Sequence, residues 1–172
     1  ISWEDHGPRL MTATCRTRNV NLKVNLIQCY APTEQADPKD KDDFYHQLQT
    51  VISKFSSKDI TILSGDMNAK VGSDNSGQEE IMGKHGLGEE NDNGGRFTNL
   101  CAMNSLVIGG TVFAHKDIHK RAWVSPDGDT ENQIDHICIS RKFRRTIQDV
   151  KVARGADVGS DHHLVIAKLK LK

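Results

Sequence analysis

Two polar side chains close an apolar run at Thr61-Ile62-Leu63-Ser64-Gly65-Asp66-Met67-Asn68. In an extended chain residues i and i+2 share a face, so Asp66 and Asn68 reach into one cleft. Asp66 offers a hard carboxylate oxygen and Asn68 a neutral amide donor, a pairing suited to a place where a divalent cation and a phosphate oxygen meet. The plain alternative is a turn after a strand, held by local side-chain-to-backbone bonds. A second polar cluster, Ser160-Asp161-His162-His163, stands before the apolar run Leu164-Val165-Ile166-Ala167. Between the two, Asp135 interrupts the β-prone segment Ile134-Asp135-His136-Ile137-Cys138-Ile139. A carboxylate there needs a partner to offset its desolvation, and His162 is the candidate.

These residues require elements to position them. Residues 10–16 and 20–30 read as strands, with Arg18-Asn19 as a hairpin turn and Val20, Leu22, Val24 and Leu26 as the buried face of the second. Asp37-Pro38 opens a helix, an N-cap followed by proline in the first turn. Phe44, Leu48, Val51, Ile52 and Phe55 form its apolar stripe. Residues 59–64 are the next strand, followed by an irregular Gly-, Asn- and Asp-rich surface loop over 72–95. Gly94-Gly95-Arg96-Phe97 leads into a short helix through Asn104. Further strands fall at 106–108, 122–124, 134–139, 150–154 and 164–171. Strands outnumber helices and the long helix joins two strands, so the class is α/β or α+β.

The 172 residues suffice for one domain with a substantial core. Hydrophobic residues at 36% and charged residues at 27% are the balance of a globular chain, and no apolar run approaches membrane-spanning length. Four cysteines without metal-type spacing, mostly within apolar stretches, read as buried thiols and favour a nuclear or cytoplasmic home. With 23 basic and 23 acidic residues, bulk attraction does not hold nucleic acid. Two local basic clusters, 115–121 and 141–145, flank the segment 123–139 and are expected either to bracket a phosphodiester backbone or to be solvated ends.

Four blocks in order carry a family resemblance: Tyr30-Ala31-Pro32-Thr33, Gly65-Asp66-Met67-Asn68-Ala69, Ile134-Asp135-His136-Ile137 and Ser160-Asp161-His162. They resemble the signature blocks of the endonuclease/exonuclease/phosphatase superfamily. The segment Ala122-Trp123-Val124-Ser125-Pro126-Asp127-Gly128 with Asn132-Gln133-Ile134-Asp135 is similar to the endonuclease domain of non-long-terminal-repeat retrotransposons. The resemblance runs from about Arg9 to the C-terminus. It implies two packed β-sheets flanked by helices, with residues 1–172 as the C-terminal two thirds of the family domain. The superfamily's N-terminal Asn block and metal-binding Glu block have no counterpart here, and Glu4 is not assigned that role.

By this resemblance Asp66 orients or deprotonates the attacking water and, with Asp161, lies at a Mg2+ site that Mn2+ could also fill. Asn68 donates to a phosphate oxygen. His162 contacts phosphate or acts as acid/base, with Asp135 setting its tautomer, and Tyr30 stabilises the leaving group. Thr33, Arg121, Trp123 and Arg141 are the DNA-contact candidates. Thr33 stands where family members carry Asn, and Trp123 reads first as core and second as a stacking surface. The expected activity is metal-dependent nicking of DNA. The alternatives are a DNA-binding remnant without turnover and a phosphatase of small phosphoesters.

Overall fold

A computed structural model describes residues 1–155 and 159–171. In chain order the strands are β1 (Ser2–Asp5), β2 (Leu10–Arg16), β3 (Lys23–Tyr30), β4 (Ile60–Asp66), β5 (Leu106–Ile108), β6 (Trp123–Val124), β7 (Glu131–Asn132), β8 (Asp135–Ser140), β9 (Ile147–Ala153) and β10 (Leu164–Leu169), with helices α1 (Pro38–Ser53) and α2 (Asp92–Met103). Six strands form one sheet in the order β1-β2-β3-β4-β8-β5, while β9 pairs with β10 and β6 with β7. This is a mixed α/β architecture.

Helix α1 forms where the sequence signals converge. Asp37 accepts the Lys39 N–H at 2.8 Å, and Pro38 occupies the first turn. The helix buries Phe44, Tyr45, Leu48, Val51 and Ile52 against Ile27, Cys29 and Leu63 of the sheet. Each such side chain is worth roughly 1.5–3 kcal/mol when removed from water. Because α1 crosses over the sheet, β3 and β4 run parallel, with Tyr30 opposite Asp66. On the other face Ile60, Ile62, Val107 and Ile139 pack beneath Ile147 and Val150, with Val165 and Ala167 alongside.

Several expectations are corrected. The connection from β2 to β3 is a loop, closed by Leu22 N–H to Asn19 O, and not a two-residue hairpin turn. On β3 the fully buried face is Asn25, Ile27 and Cys29, because that side lies under the helices. Leu22 and Val24 are only partly covered, Leu26 is 38% exposed and Val20 90%, since the two-stranded β9–β10 layer does not extend over that half of the sheet. The segment 72–95 is not all surface: Ile81 and Met82 are buried, and Met82 bridges to Ile108 at the edge of β5. Helix α2 begins at Asp92, with the Asn91 side chain capping the Gly94 N–H, and strand β1 was not expected. Cys29, Cys101 and Cys138 are buried free thiols and Cys15 is half-buried. Among the described residues no helix is long and apolar enough to cross a membrane.

Two residues lock the end of the sheet that carries the polar cluster. Gly65 has φ +145°, and a Cβ there would run into the Cys29 carbonyl. His136 is buried against Phe97, donates from Nε2 to Ala69 O at 2.8 Å and has no partner at Nδ1. Burial lowers its pKa from 6.5 to about 4, against a smaller upward pull from the Ala69 bond. The native state therefore holds it neutral, while the unfolded chain binds a proton first as pH falls. Its stabilisation is complete above pH 6.5 and is lost towards pH 4. We expect unfolding free energy to fall by about 2 kcal/mol more in the parent than in His136→Gln between pH 7 and pH 5. Equal losses in denaturant titrations would contradict this. Gly65→Ala should cost at least about 2 kcal/mol in the same assay.

Candidate active site

Strand register sets out the site. Tyr30 pairs with Asp66 across β3 and β4, and Asp66 pairs with Asp135 across β4 and β8. Three polar side chains thus stand in one row, at the rim of the sheet and on one face. His162 completes the row from another part of the chain. It forms an isolated bridge with Trp123, and the neighbouring Val124 N–H and His163 N–H donate to Asp161 O at 3.0 Å and to Ala122 O at 2.6 Å.

His162 Nδ1 donates to Asp135 Oδ2 at 2.9 Å, and its Nε2 lies 3.8 Å from Asp66 Oδ2. The side chains of Asp66, Asp135 and His162 are 14%, 19% and 29% exposed, so the three groups meet largely out of water. Burial pushes the Asp135 carboxyl up to about 6, opposed by the charge and hydrogen bond of His162 and reinforced by Asp66 and Asp161. Burial likewise raises Asp66, with the Asn68 N–H and His162 pulling it down and Asp161 pushing it up. Carboxylates that repel one another across a shared hollow favour a cation or proton between them.

Asn68 adopts φ +47°, a left-handed conformation that asparagine tolerates better than most residues. Its N–H donates to Asp66 Oδ1 at 2.9 Å. Its side-chain Nδ2 donates to Ala31 O at 3.0 Å and lies 3.5 Å from Asp66 Oδ2. Those amide hydrogens are therefore directed at the Ala31 carbonyl and Asp66, and a phosphate contact from Asn68 requires the side chain to rotate. Asp161 Oδ2 accepts the Trp123 indole N–H at 3.0 Å. Trp123 accordingly forms a wall of the cleft and is not core, because its N–H finds its partner at the rim. Tyr30 is 49% exposed there, with the Arg9 guanidinium 5.2 Å from its ring centroid.

Tyr30, Thr33, Asp66, Asn68, Trp123, Asp161 and His162 line one cleft of about 430 Å³. Asp135 lies behind His162, in an adjoining hollow with His163. The structure does not bring Arg121 or Arg141 to this cleft. Arg121 is paired with Asp117 and Glu131, each at 3.4 Å. Arg141 follows the far end of β8, about 20 Å along the strand from Asp135 at about 3.3 Å per residue. The two basic clusters therefore do not bracket one cleft.

Reading the sequence missed a supporting layer. Asn93 is fully buried and its Nδ2 donates to Pro32 O and Asn68 O at 3.0 and 3.3 Å. The Glu34 carboxylate accepts the Asp92 and Asn93 N–H groups at 3.2 Å each, and the buried Lys41 ammonium donates to Glu34 O and Asp92 Oδ2. Asn91-Asp92-Asn93 before Gly94-Gly95 was a visible capping signal for α2. Its tie to Asn68 was not visible, because 23 residues separate Asn91 from Asn68.

Asp66 and Asp161 give two carboxylates at the cleft. Among the described residues no group of three or more His, Cys, Asp or Glu side chains is set to hold a metal. Magnesium commonly binds through one or two carboxylates, with water and substrate phosphate completing its shell, and this donor set fits that mode.

The fold is that of the endonuclease/exonuclease/phosphatase superfamily, whose members include hydrolytic nucleases and phosphatases. A family profile described as endonuclease-reverse transcriptase matches residues 24–166, and the chain belongs to that family. It is 40% identical over 166 residues to craniofacial development protein 2 of Bos taurus, covering 95% of this chain and 27% of that protein. The chain thus spans little more than a quarter of that relative's length. Among solved structures it resembles the endonuclease domain of TRAS1, a telomere-specific non-LTR retrotransposon, with TM-score 0.66 and 17% identity over 95% of this chain and 62% of that one. It also resembles the 3' phosphatase NExo from Neisseria bound to a product DNA hairpin, with TM-score 0.66 and 20% identity over 98% of this chain and 67% of that one.

Asn93→Ala should leave the Pro32 carbonyl without its partner, with Asn68 O held only by Asn91, and lower unfolding free energy by about 1–3 kcal/mol. Chemical denaturation checks this, and a loss under about 0.5 kcal/mol would mean that the Asn68 loop does not depend on Asn93.

Proposed function

We propose that this chain is the phosphodiester-cleaving part of a magnesium-dependent endonuclease that nicks DNA. The observation that carries the reading is His162, suspended between Asp135 at 2.9 Å and Asp66 at 3.8 Å on the wall of an open cleft. Likeness to a retrotransposon endonuclease and to a DNA-bound phosphatase supports nucleic acid as the substrate.

Ionised Asp135 accepts a hydrogen bond from the Nδ1–H of His162, which fixes the ring with Nε2 towards Asp66 and the cleft. Asp66, whose proton affinity is raised by burial, orients a water and accepts its proton. Protonated His162 donates to a phosphoryl oxygen, and Asp135 stabilises the imidazolium. Tyr30 offers its phenol to the departing oxygen. Asn68 holds Asp66 through its backbone N–H. Asp66 and Asp161 are the residues that would hold Mg2+, which would supply charge neutralisation on the phosphoryl oxygens.

Supercoiled-plasmid nicking tests the proposal. Chelation should abolish it and Mn2+ should restore it. Asp66→Ala and His162→Ala should each lower the rate by at least about 10²-fold. Nicking that survives unchanged in both variants would exclude this site, and salt-sensitive DNA binding without nicking would favour a binding remnant.

A further inference from the structure

The charge balance of the whole chain conceals a separation of charge. At the end of the sheet remote from the cleft, Arg16 pairs in register with Lys23, and Lys58 precedes β4. The run Arg141-Lys142-Phe143-Arg144-Arg145 leaves β8 at the same end. All of these cationic side chains are exposed. The acidic groups nearby are already engaged: Asp59 accepts the Lys23 N–H at 2.9 Å, and Glu80 is paired with Arg141. Among the described residues no ion pair engages Arg16, Lys23, Lys58, Lys142, Arg144 or Arg145.

The local conformation gives this surface a shape. Residues Arg141–Thr146 form a 3-10 helix, in which side chains at i and i+3 eclipse. Phe143 turns inward and packs with the cluster around Ile60 and Ile147, pinning the segment to the core. Arg141 and Arg144 then form one outward ridge, and Lys142 and Arg145 a second. Members of each ridge are about 6 Å apart along the axis, at about 2.0 Å per residue. Along each strand of a duplex one phosphate recurs about every 3.4 Å of helix axis, so cations held about 6 Å apart on a rigid ridge meet a dense row of phosphates. Arginine forks match the oxygens of a phosphate bidentately, and a duplex backbone presents them in a continuous row.

We infer that this basic end, centred on Lys142, Arg144 and Arg145, binds the phosphate backbone of a duplex separate from the one in the cleft. The two surfaces lie at opposite ends of β8, so one protein bridges two nucleic-acid segments. Binding at the basic end does not require cleavage, while the bridging rests on the proposed reading of the cleft as a nucleic-acid site.

The test is fluorescence anisotropy in EDTA with 20-base-pair duplex DNA and, separately, duplex RNA, comparing the parent with the triple variant Lys142→Ala/Arg144→Ala/Arg145→Ala. The triple variant should bind at least about tenfold more weakly at 0.1 M salt. Its slope of log affinity against log salt should be shallower by about 2.7, three phosphate contacts at about 0.9 each. Whichever duplex shows this loss identifies the backbone recognised. A biotinylated duplex should retain a second, labelled duplex through the parent protein and not through the triple variant. Binding of Lys39→Ala, which removes an exposed cation of α1 away from both surfaces, should match the parent, so the loss is specific to the basic end. Unchanged affinity and slope in the triple variant would overturn the inference, as would failure of the parent to hold two duplexes. So would a loss confined to phosphatidylserine vesicles or polyglutamate.

Discussion

The register of three strands is the constraint on which the candidate site rests. Tyr30, Asp66 and Asp135 face one another across β3, β4 and β8 only because Val24 pairs with Ile60 and Ile62 with Ile139. A slip of one residue would turn every one of these side chains to the helix-covered face. The apolar partners further along the strands prevent it. Ile27 and Leu63 are held under α1, and Ile60, Ile62 and Ile139 under β9 and β10, so the position of the carboxylates is enforced by burial some distance away. Gly65 allows β3 and β4 to meet closely just before the row, where no side chain would fit.

Given that row, the remaining parts are brought in by pairing of otherwise irregular chain. The short contact between residues 122–124 and 161–163 delivers His162 to Asp135 and ties Asp161 to the Trp123 indole. On the opposite wall, Lys41, Glu34, Asn91 and Asn93 join α1, the turn after β3 and the start of α2 to the Asn68 backbone. The side-chain donors of this layer are partnered, although Asn93 Oδ1 is not, and they fix loop geometry where strands no longer can. The reactive groups are thus partly desolvated and held by neighbours on three sides, which raises the proton affinity of Asp66 and Asp135 together.

How much of this could be read from the chain follows from the range of each signal. The α1 stripe and its Asp37-Pro38 start are local, and the helix lies where they place it. The four blocks that contain Tyr30, Asp66, Asp135 and His162 were visible as strand ends bearing polar residues, and these residues converge. Trp123 was misjudged as core because its partner, Asp161, is 38 residues away. The buried face of β3 was misjudged because both its faces carry apolar residues, and alternation cannot say which one a helix will cover. Arg141 was grouped with the cleft by proximity in sequence, although an extended strand carries the chain about 20 Å in six residues. Pairings over long separations set the functional geometry, and those pairings leave little local trace.

The central claim is that Asp135 acts through His162. A double-mutant cycle on magnesium-dependent nicking, comparing Asp135→Asn, His162→Ala and the double variant, measures it most directly. The account predicts that the double variant is no slower than His162→Ala alone, within about threefold, because removal of the imidazole leaves Asp135 nothing to position. Multiplicative losses would contradict it, since Asp135 would then contribute by a route independent of His162.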